Sequence, residues 1–262
     1  PTELFPPGPE AAQQAQRNAR ARLLIEDGNA AEWPATIAFL PEAPHDDAPL
    51  RVGSTLGPVT GVVDRRRGQH RLIPTQPLEV AQQAARPSPP RVEGGLRVAA
   101  LNLENLFNGD GEGGGFPTAR GAPTPELFAV QQAKLVATLQ ALDVDIAALS
   151  EVENDGRGPH TALAGFVDAL NAAGPARDWT HVDPGDGPGD DAIRVAIVYR
   201  ATRVTPVGAP LASTAPAFAW GSRPPLGQAF RAGSGEPWLV VANHFKSKGG
   251  CPGEDHPQAR DG

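Results

Sequence analysis

The sequence predicts an α/β layered domain over residues 95–262, preceded by a small β-rich unit over residues 1–82. Three observations carry that prediction. After residue 95, continuous apolar runs that fit buried strands alternate with stretches of helical character. Before residue 83 the chain has short apolar runs, tight-turn signals and little helical periodicity, the marks of a small barrel or sandwich. Residues 83–94 separate the two and hold the proline-rich spacer AARPSPPR (84–91).

The elements follow in order. In the first unit, ARARLLIEDG predicts a strand running into a turn at Asp27–Gly28, and PATIAFLP a short strand bounded by prolines. LRVGSTLGPVTGVVDRRRGQHRLIPTQPLEV alternates apolar and polar residues on both sides of a turn near Arg67–Gly68. RRRG (65–68) reads as a charged hairpin tip. In the second part, GLRVAALNLENLF predicts a buried strand over Leu96–Leu101, followed by a Gly-rich loop at 109–115. TPELFAVQQAKLVATLQAL then predicts a helix with Thr124 as N-cap and Pro125 in its first turn. Leu127, Val130, Leu135, Leu139 and Leu142 form its expected apolar face. VDIAALSEVEN predicts a second strand, GPHTALAGFVDALNAAG a second helix, AIRVAIVYR a third strand and EPWLVVANHF a fourth.

Composition narrows the function classes. The net charge is −7, and the excess acid lies in residues 95–262, with 13 basic against 19 acidic side chains. That balance excludes a general polyanion binder but suits an enzyme that handles phosphate with a few placed cations and a metal. No apolar run approaches the roughly 20 residues needed to span a bilayer. The chain begins with Pro1 and has no methionine, so we expect it to derive from a longer or processed protein. Its one cysteine, Cys251, has no intrachain disulfide partner.

The polar residues fall at strand ends, where side chains from separate strands converge in solvent. The first strand leads into Asn102 and Asn105, the second into Glu151, and the fourth into Asn243, His244 and Lys246. Glu151 is either a solvated strand-end carboxylate or a hard oxygen ligand for Mg²⁺. Asn102 and Asn105 either cap turns or orient a phosphate oxygen without adding charge. Two of the three lysines, Lys246 and Lys248, flank His244 closely. They would attract phosphate and lower the imidazole's proton affinity, leaving a neutral base or acid partner. Arg223 is either a solvated loop residue or a bidentate phosphate clamp.

Taken together, NLENLF (102–107), SEVEN (150–154), DAIRVAIVYR (191–200) and NHFKSKGG (243–250) resemble, in this order, the endonuclease/exonuclease/phosphatase (DNase I-like) superfamily. The match is to large secreted bacterial nucleases, whose catalytic domain commonly follows an OB-like β-domain similar to residues 1–82. The resemblance implies the N-terminal portion of a DNase I-like layered α/β sandwich. It implies metal-dependent phosphodiester hydrolysis of DNA or RNA, with Mg²⁺ as the metal and Mn²⁺ or Ca²⁺ as alternatives. Glu151 and Asn102 would lie at the metal, His244 would act in proton transfer at the scissile phosphate, and Arg223 would contact phosphate. Asn105, Lys246 and Lys248 would border the substrate. An extracellular monomer, with nucleic acid as substrate and no membrane partner, is the setting the resemblance implies, and Cys251 would then have lost a disulfide partner.

The family pattern also has a second half, with a GD-[FL]-N strand and a terminal SDH strand, and neither is in this sequence. The Asp255–His256 pair sits in a loop and does not replace them. The expectation is therefore half of a phosphodiesterase site, inactive or severely impaired alone, with an exposed sheet face or edge. Two other readings are a same-superfamily phosphodiesterase acting on lipid headgroups, and a non-catalytic OB-type module binding single strands. Residues 1–80 are poor in aromatics and nearly neutral, which weakens the last of these.

Overall fold

The computed structural model describes residues 4–29, 37–40, 50–185, 189–218 and 221–246. The chain forms two compact units, Pro1–Ser88 and Pro89–Gly262, which meet inside the proline-rich spacer. Lys248, Cys251, Asp255, His256 and Trp33 lie outside the described residues.

The first unit opens with a helix, α1 (Pro9–Ala21), where no helix was predicted. Pro9 occupies the first turn, and apart from Asn18 the rest is Glu, Ala, Gln and Arg, all strong helix formers. Only Ala11 is buried, so the helix has no apolar stripe from which periodicity could find it. The strand expected in ARARLLIEDG shrinks to β1 (Leu24–Ile25), because α1 has already taken its first residues. Then come β2 (Thr55–Leu56), β3 (Gly61–Arg66), β4 (Gln69–Pro74) and β5 (Val80–Gln82). β1 pairs parallel to β4 and β3 pairs antiparallel to it, while β2 pairs with β5. Arg67 and Gly68 turn the β3–β4 hairpin, both at positive φ (50° and 79°), as a twist-matched two-residue loop requires. Arg71 on β4 ties the strands on either side, at 2.8 Å from Glu26 and 2.7 Å from Asp64.

The second unit is a three-layer α/β assembly. Its first sheet contains β6 (Val98–Leu106), β7 (Ile146–Glu153), β8 (Trp179–His181) and β9 (Ile193–Arg200), in the order β6-β7-β9-β8. β6 and β7 run parallel, joined by α2 (Pro125–Leu142), and β9 is antiparallel to β7 and β8. Helix α3 (Ala162–Ala173) follows β7. Thr124 caps α2 as expected, its hydroxyl accepting from Leu127 N at 3.3 Å, and Thr161 caps α3 the same way through Ala164 N. Each such cap contributes about 1 kcal/mol.

The buried face of α2 is rotated from the expected one. Val136 and Leu139 are buried and Leu135, Leu142 and Phe128 pack against them, whereas Leu127 and Val130 are exposed. The first core lies between the helices and one face of this sheet, centred on Leu103, Leu149, Phe166 and Val198. The other face of the sheet packs on a second sheet, β10 (Thr205–Ala212), β11 (Arg223–Arg231) and β12 (Trp238–His244), antiparallel in that order. Ile146, Ile197, Tyr199, Leu226, Phe230 and Val240 fill the space between the sheets.

β10 and β11 went unpredicted because prolines interrupt them. Pro206 and Pro210 sit on β10, which is an edge strand. Pro224 and Pro225 sit at the start of β11, where its register with β12 shifts between Arg223 and Leu226. Edges, strand starts and bulges are the places where a missing N–H costs a sheet little.

Candidate active site

Three strands break register at the same end of the second unit. β6 does so between Asn102 and Leu106, β7 between Leu149 and Val152, and β11 against β12 between Arg223 and Leu226. Asn102, Asn105 and Glu151 therefore lie on bulges within β6 and β7, and not beyond the strand ends as the apolar runs suggested. Glu104, Asn105 and Glu151 all take left-handed backbone, with φ of 54°, 58° and 61°. Non-glycine residues persist there only when their surroundings hold them. Here Asn102 Oδ1 accepts from Glu104 N at 2.8 Å, and Gln131 Nε2 on α2 donates to the carbonyls of Leu103 and Glu104 at 2.8 and 3.0 Å. The bulges re-aim side chains that a regular pleat would send to alternate faces.

Glu151 is the centre of the result. Asn102 Nδ2 donates to its Oε1 at 2.8 Å, and the backbone N–H of Asn105 donates to Oε2 at 3.1 Å. His244, at the end of β12, presents Nε2 to Glu151 Oε1 at 3.6 Å. Asn102, Asn105, Glu151 and His244 thus come from three strands in two sheets to one place. Burial pushes the His244 imidazole below its ordinary proton affinity, and the Arg223 guanidinium pushes the same way, against the pull of Glu151 and Asp191. Both effects favour the neutral imidazole. Its Nδ1 is buried and has no hydrogen-bond partner among the described residues.

Arg223 is the Cα register partner of His244 and reaches Asp191 Oδ2 at 3.2 Å with one terminal nitrogen. Its other terminal nitrogen donates to Gly221 O at 3.0 Å. Lys246 follows β12, with its backbone N–H on Ser222 Oγ at 3.1 Å. A cavity of about 340 Å³ opens between the edge strands β6 and β12, and Asn102, Ser150 and Asn243 line it with Ala100 and Val241.

Two residues at this site were not among those predicted. Asp191 appeared only inside a strand motif, and Arg120, from the long loop between β6 and α2, had no signal beyond being a basic residue among glycines and prolines. The structure brings them together, Arg120 Nη1 standing 3.4 Å from Asp191 Oδ1.

The donor set fits a magnesium-like ion. Among the described residues the Glu151 carboxylate accepts one hydrogen bond from a neutral donor on each oxygen, so lone pairs remain on both. Mg²⁺ keeps most of its waters and needs one or two carboxylates rather than a cage. Among the described residues no group of three or more His, Cys, Asp or Glu could hold a metal.

No protein-family model and no curated protein sequence matches the chain. Matched solved structures include humanized D. rerio TDP2 carrying 14 mutations, at 17% identity over 44% of this chain and 42% of that one, with a TM-score of 0.30. ANGEL2, a 2′,3′-cyclic phosphatase, matches at 12% identity over 44% and 31%, with a TM-score of 0.33. The human Nocturnin catalytic domain with bound sulfate matches at 16% identity over 46% and 44%, with a TM-score of 0.32. The chain spans less than half the length of each of these proteins. At such scores the overlap is too slight to assign an activity.

Proposed function

We propose that the second unit carries one side of a metal-dependent phosphodiesterase site that hydrolyses nucleic acid. The observation that carries this reading is the Glu151 carboxylate, held by Asn102 and Asn105 and facing His244 with Arg223 beside it. Sequence motifs that resemble those of DNase I-like nucleases supply Asn102, Asn105, Glu151 and His244, and Arg223 comes from a shorter local likeness in WGSRPPLGQAF.

In hydrolysis a water oxygen forms a bond to phosphorus, the bond to the leaving oxygen breaks, and that oxygen takes up a proton. Glu151, with the Asn102 amide next to it, would hold Mg²⁺, which polarises a phosphoryl oxygen when bound. His244 holds or moves a proton at Nε2, the ring nitrogen turned toward Glu151. Arg223 and Lys246 neutralise charge that grows on the phosphoryl oxygens. The buried, unpartnered Nδ1 of His244 is the mark of a site with one partner still to be supplied, since buried polar atoms are almost always bonded. That fits a site which takes one more hydrogen-bonding group at His244, and an extracellular setting belongs to the same proposal.

The test is plasmid nicking with Mg²⁺, Mn²⁺ and Ca²⁺ in separate reactions, an EDTA blank and Glu151→Gln alongside. Binding of Mn²⁺ is read in parallel from loss of the free-ion EPR signal. We expect Mn²⁺ binding that disappears in the variant, with feeble nicking or none. Strong nicking abolished by Glu151→Gln would show that the residues present already form a complete site. Absence of any Glu151-dependent Mn²⁺ binding would remove the reading.

A further inference from the structure

We propose that Arg120 is a second phosphate contact, for the phosphodiester next to the scissile one, so that the site takes a strand with at least two linked phosphates. The inference rests on the phosphodiesterase reading and adds the length of substrate that the site recognises.

Asp191 is the organising group. Its two carboxylate oxygens hold two arginines apart, Arg223 on Oδ2 at 3.2 Å and Arg120 on Oδ1 at 3.4 Å. Asp191 is itself fixed: its Oδ1 accepts from Ile193 N at 3.2 Å, and its backbone carbonyl accepts from Asn154 Nδ2 at 3.0 Å. One carboxylate cannot neutralise two guanidinium groups, so the Arg120–Asp191–Arg223 cluster itself keeps a net positive charge. A guanidinium has five N–H donors, and Arg120 uses one terminal nitrogen on Asp191. Its side chain is 43% exposed, which leaves the remaining donors open to a ligand. Arg223 is 14% exposed and is the register partner of His244, so a single phosphate there is served without Arg120.

Arg120 is also placed, and not merely near. A Cβ at Gly121 would stand 2.3 Å from Asn105 O, and Gly121 has φ +82°, so glycine is needed for this loop to press onto the bulge of β6. Thr118 Oγ1 donates to the Arg120 carbonyl. Phe116 packs on Phe128 of α2 with ring centroids 6.1 Å apart, which anchors the loop from its other side. Asp110 Oδ1 accepts from Glu112 N and Gly114 N, each at 2.8 Å, closing the Gly-rich part on itself. A long loop folded this tightly onto a catalytic strand delivers its arginine to a defined position. Two cations spaced across one carboxylate match adjacent phosphates of a strand, and an isolated phosphodiester gives the second one nothing to bind.

The test compares the whole chain with Arg120→Ala, Arg120→Gln and Arg223→Ala in Ca²⁺. Anisotropy of a labelled oligothymidylate is titrated at several salt concentrations, and bis(4-nitrophenyl) phosphate is used as a competitor with one phosphodiester. Thermal melts confirm that each variant folds. Arg120→Ala and Arg120→Gln should each narrow the ratio of oligonucleotide to single-ester affinity about fivefold and flatten the salt slope by about 0.7. Arg223→Ala should weaken both ligands together and leave the ratio near its starting value. A ratio and slope unchanged in folded Arg120 variants would overturn the proposal alone. Failure of the unmodified chain to bind either ligand would overturn the phosphodiesterase reading with it.

Discussion

At the scale of single residues, His244 has the most to say about pH. Burial and Arg223 hold its proton affinity below the ordinary value of 6.5, while Glu151 and Asp191 oppose them. Two substitutions should therefore move it in opposite directions. Arg223→Ala removes a cation and should raise the pKa toward the ordinary value, and Glu151→Gln removes an anion and should lower it further. The imidazole Cε1–H resonance, followed by NMR through a pH titration in metal-free buffer, reads both. If neither variant shifts it, or both shift it the same way, the electrostatic account of the site is wrong. The stability consequence follows in sign. A histidine whose folded pKa is depressed favours the fold in its neutral form. Its contribution is present above pH 6.5 and is lost as pH falls through the folded value, because the unfolded chain then binds more protons.

At the scale of elements, the three bulges and the loop that presses on one of them place the side chains. Gly121 tests this most directly. Gly121→Ala adds left-handed strain and puts a methyl 2.3 Å from Asn105 O, whereas Gly113, also at positive φ (96°), has open space around it. Gly113→Ala should cost about 1 kcal/mol from strain alone, and Gly121→Ala about 2–4 kcal/mol. Denaturant melts of the two variants separate strain from clash, and equal losses would mean that the loop is not held against β6. The elements also show what a sequence can reveal. Ile146–Glu153 and Ile193–Arg200 were legible because burial on both faces leaves continuous apolar runs, Trp238–His244 because its half-exposed strand is apolar on its outer face as well, and α2 from Pro125 and the Thr124 cap. Strands β10 and β11 were hidden by their prolines, and α1 by its lack of an apolar stripe. Glu151, Asn102, Asn105 and His244 were nameable because motifs carry them, and Arg223 from a shorter local likeness, but the left-handed backbone that makes Glu151 meet His244 leaves no mark on composition. The Arg120–Asp191 pair joins residues 71 positions apart through a loop without periodicity, so nothing local announces it.

At the scale of the second unit, the sheet faces explain how it should behave in solution. The expectation was an exposed inner face or a long open edge. The inner faces are in fact closed on each other through Ile197, Tyr199, Leu226 and Phe230. What stays open is the outer face of the second sheet, where Leu211, Leu239 and Val241 are 68%, 57% and 43% exposed, together with β6 and β12 at the sheet edges. The first sheet has α2 and α3 over its outer face, and among the described residues the second sheet has no helix over its own. β12 is thus at once an edge strand, one wall of the cavity beside Asn102 and the carrier of His244. Unpaired strand edges next to exposed apolar side chains template association between chains. The sequence led us to expect a monomer, and the exposed face argues for self-association as concentration rises. Leu239→Lys and Val241→Lys place a charge on that face without touching the core between the sheets. Sedimentation velocity over a concentration series should show association in the unmodified chain and its reduction in either variant, with melting temperature nearly unchanged. A chain that remains a single species throughout would show that the open face and edge do not template association, and the monomer expectation would hold.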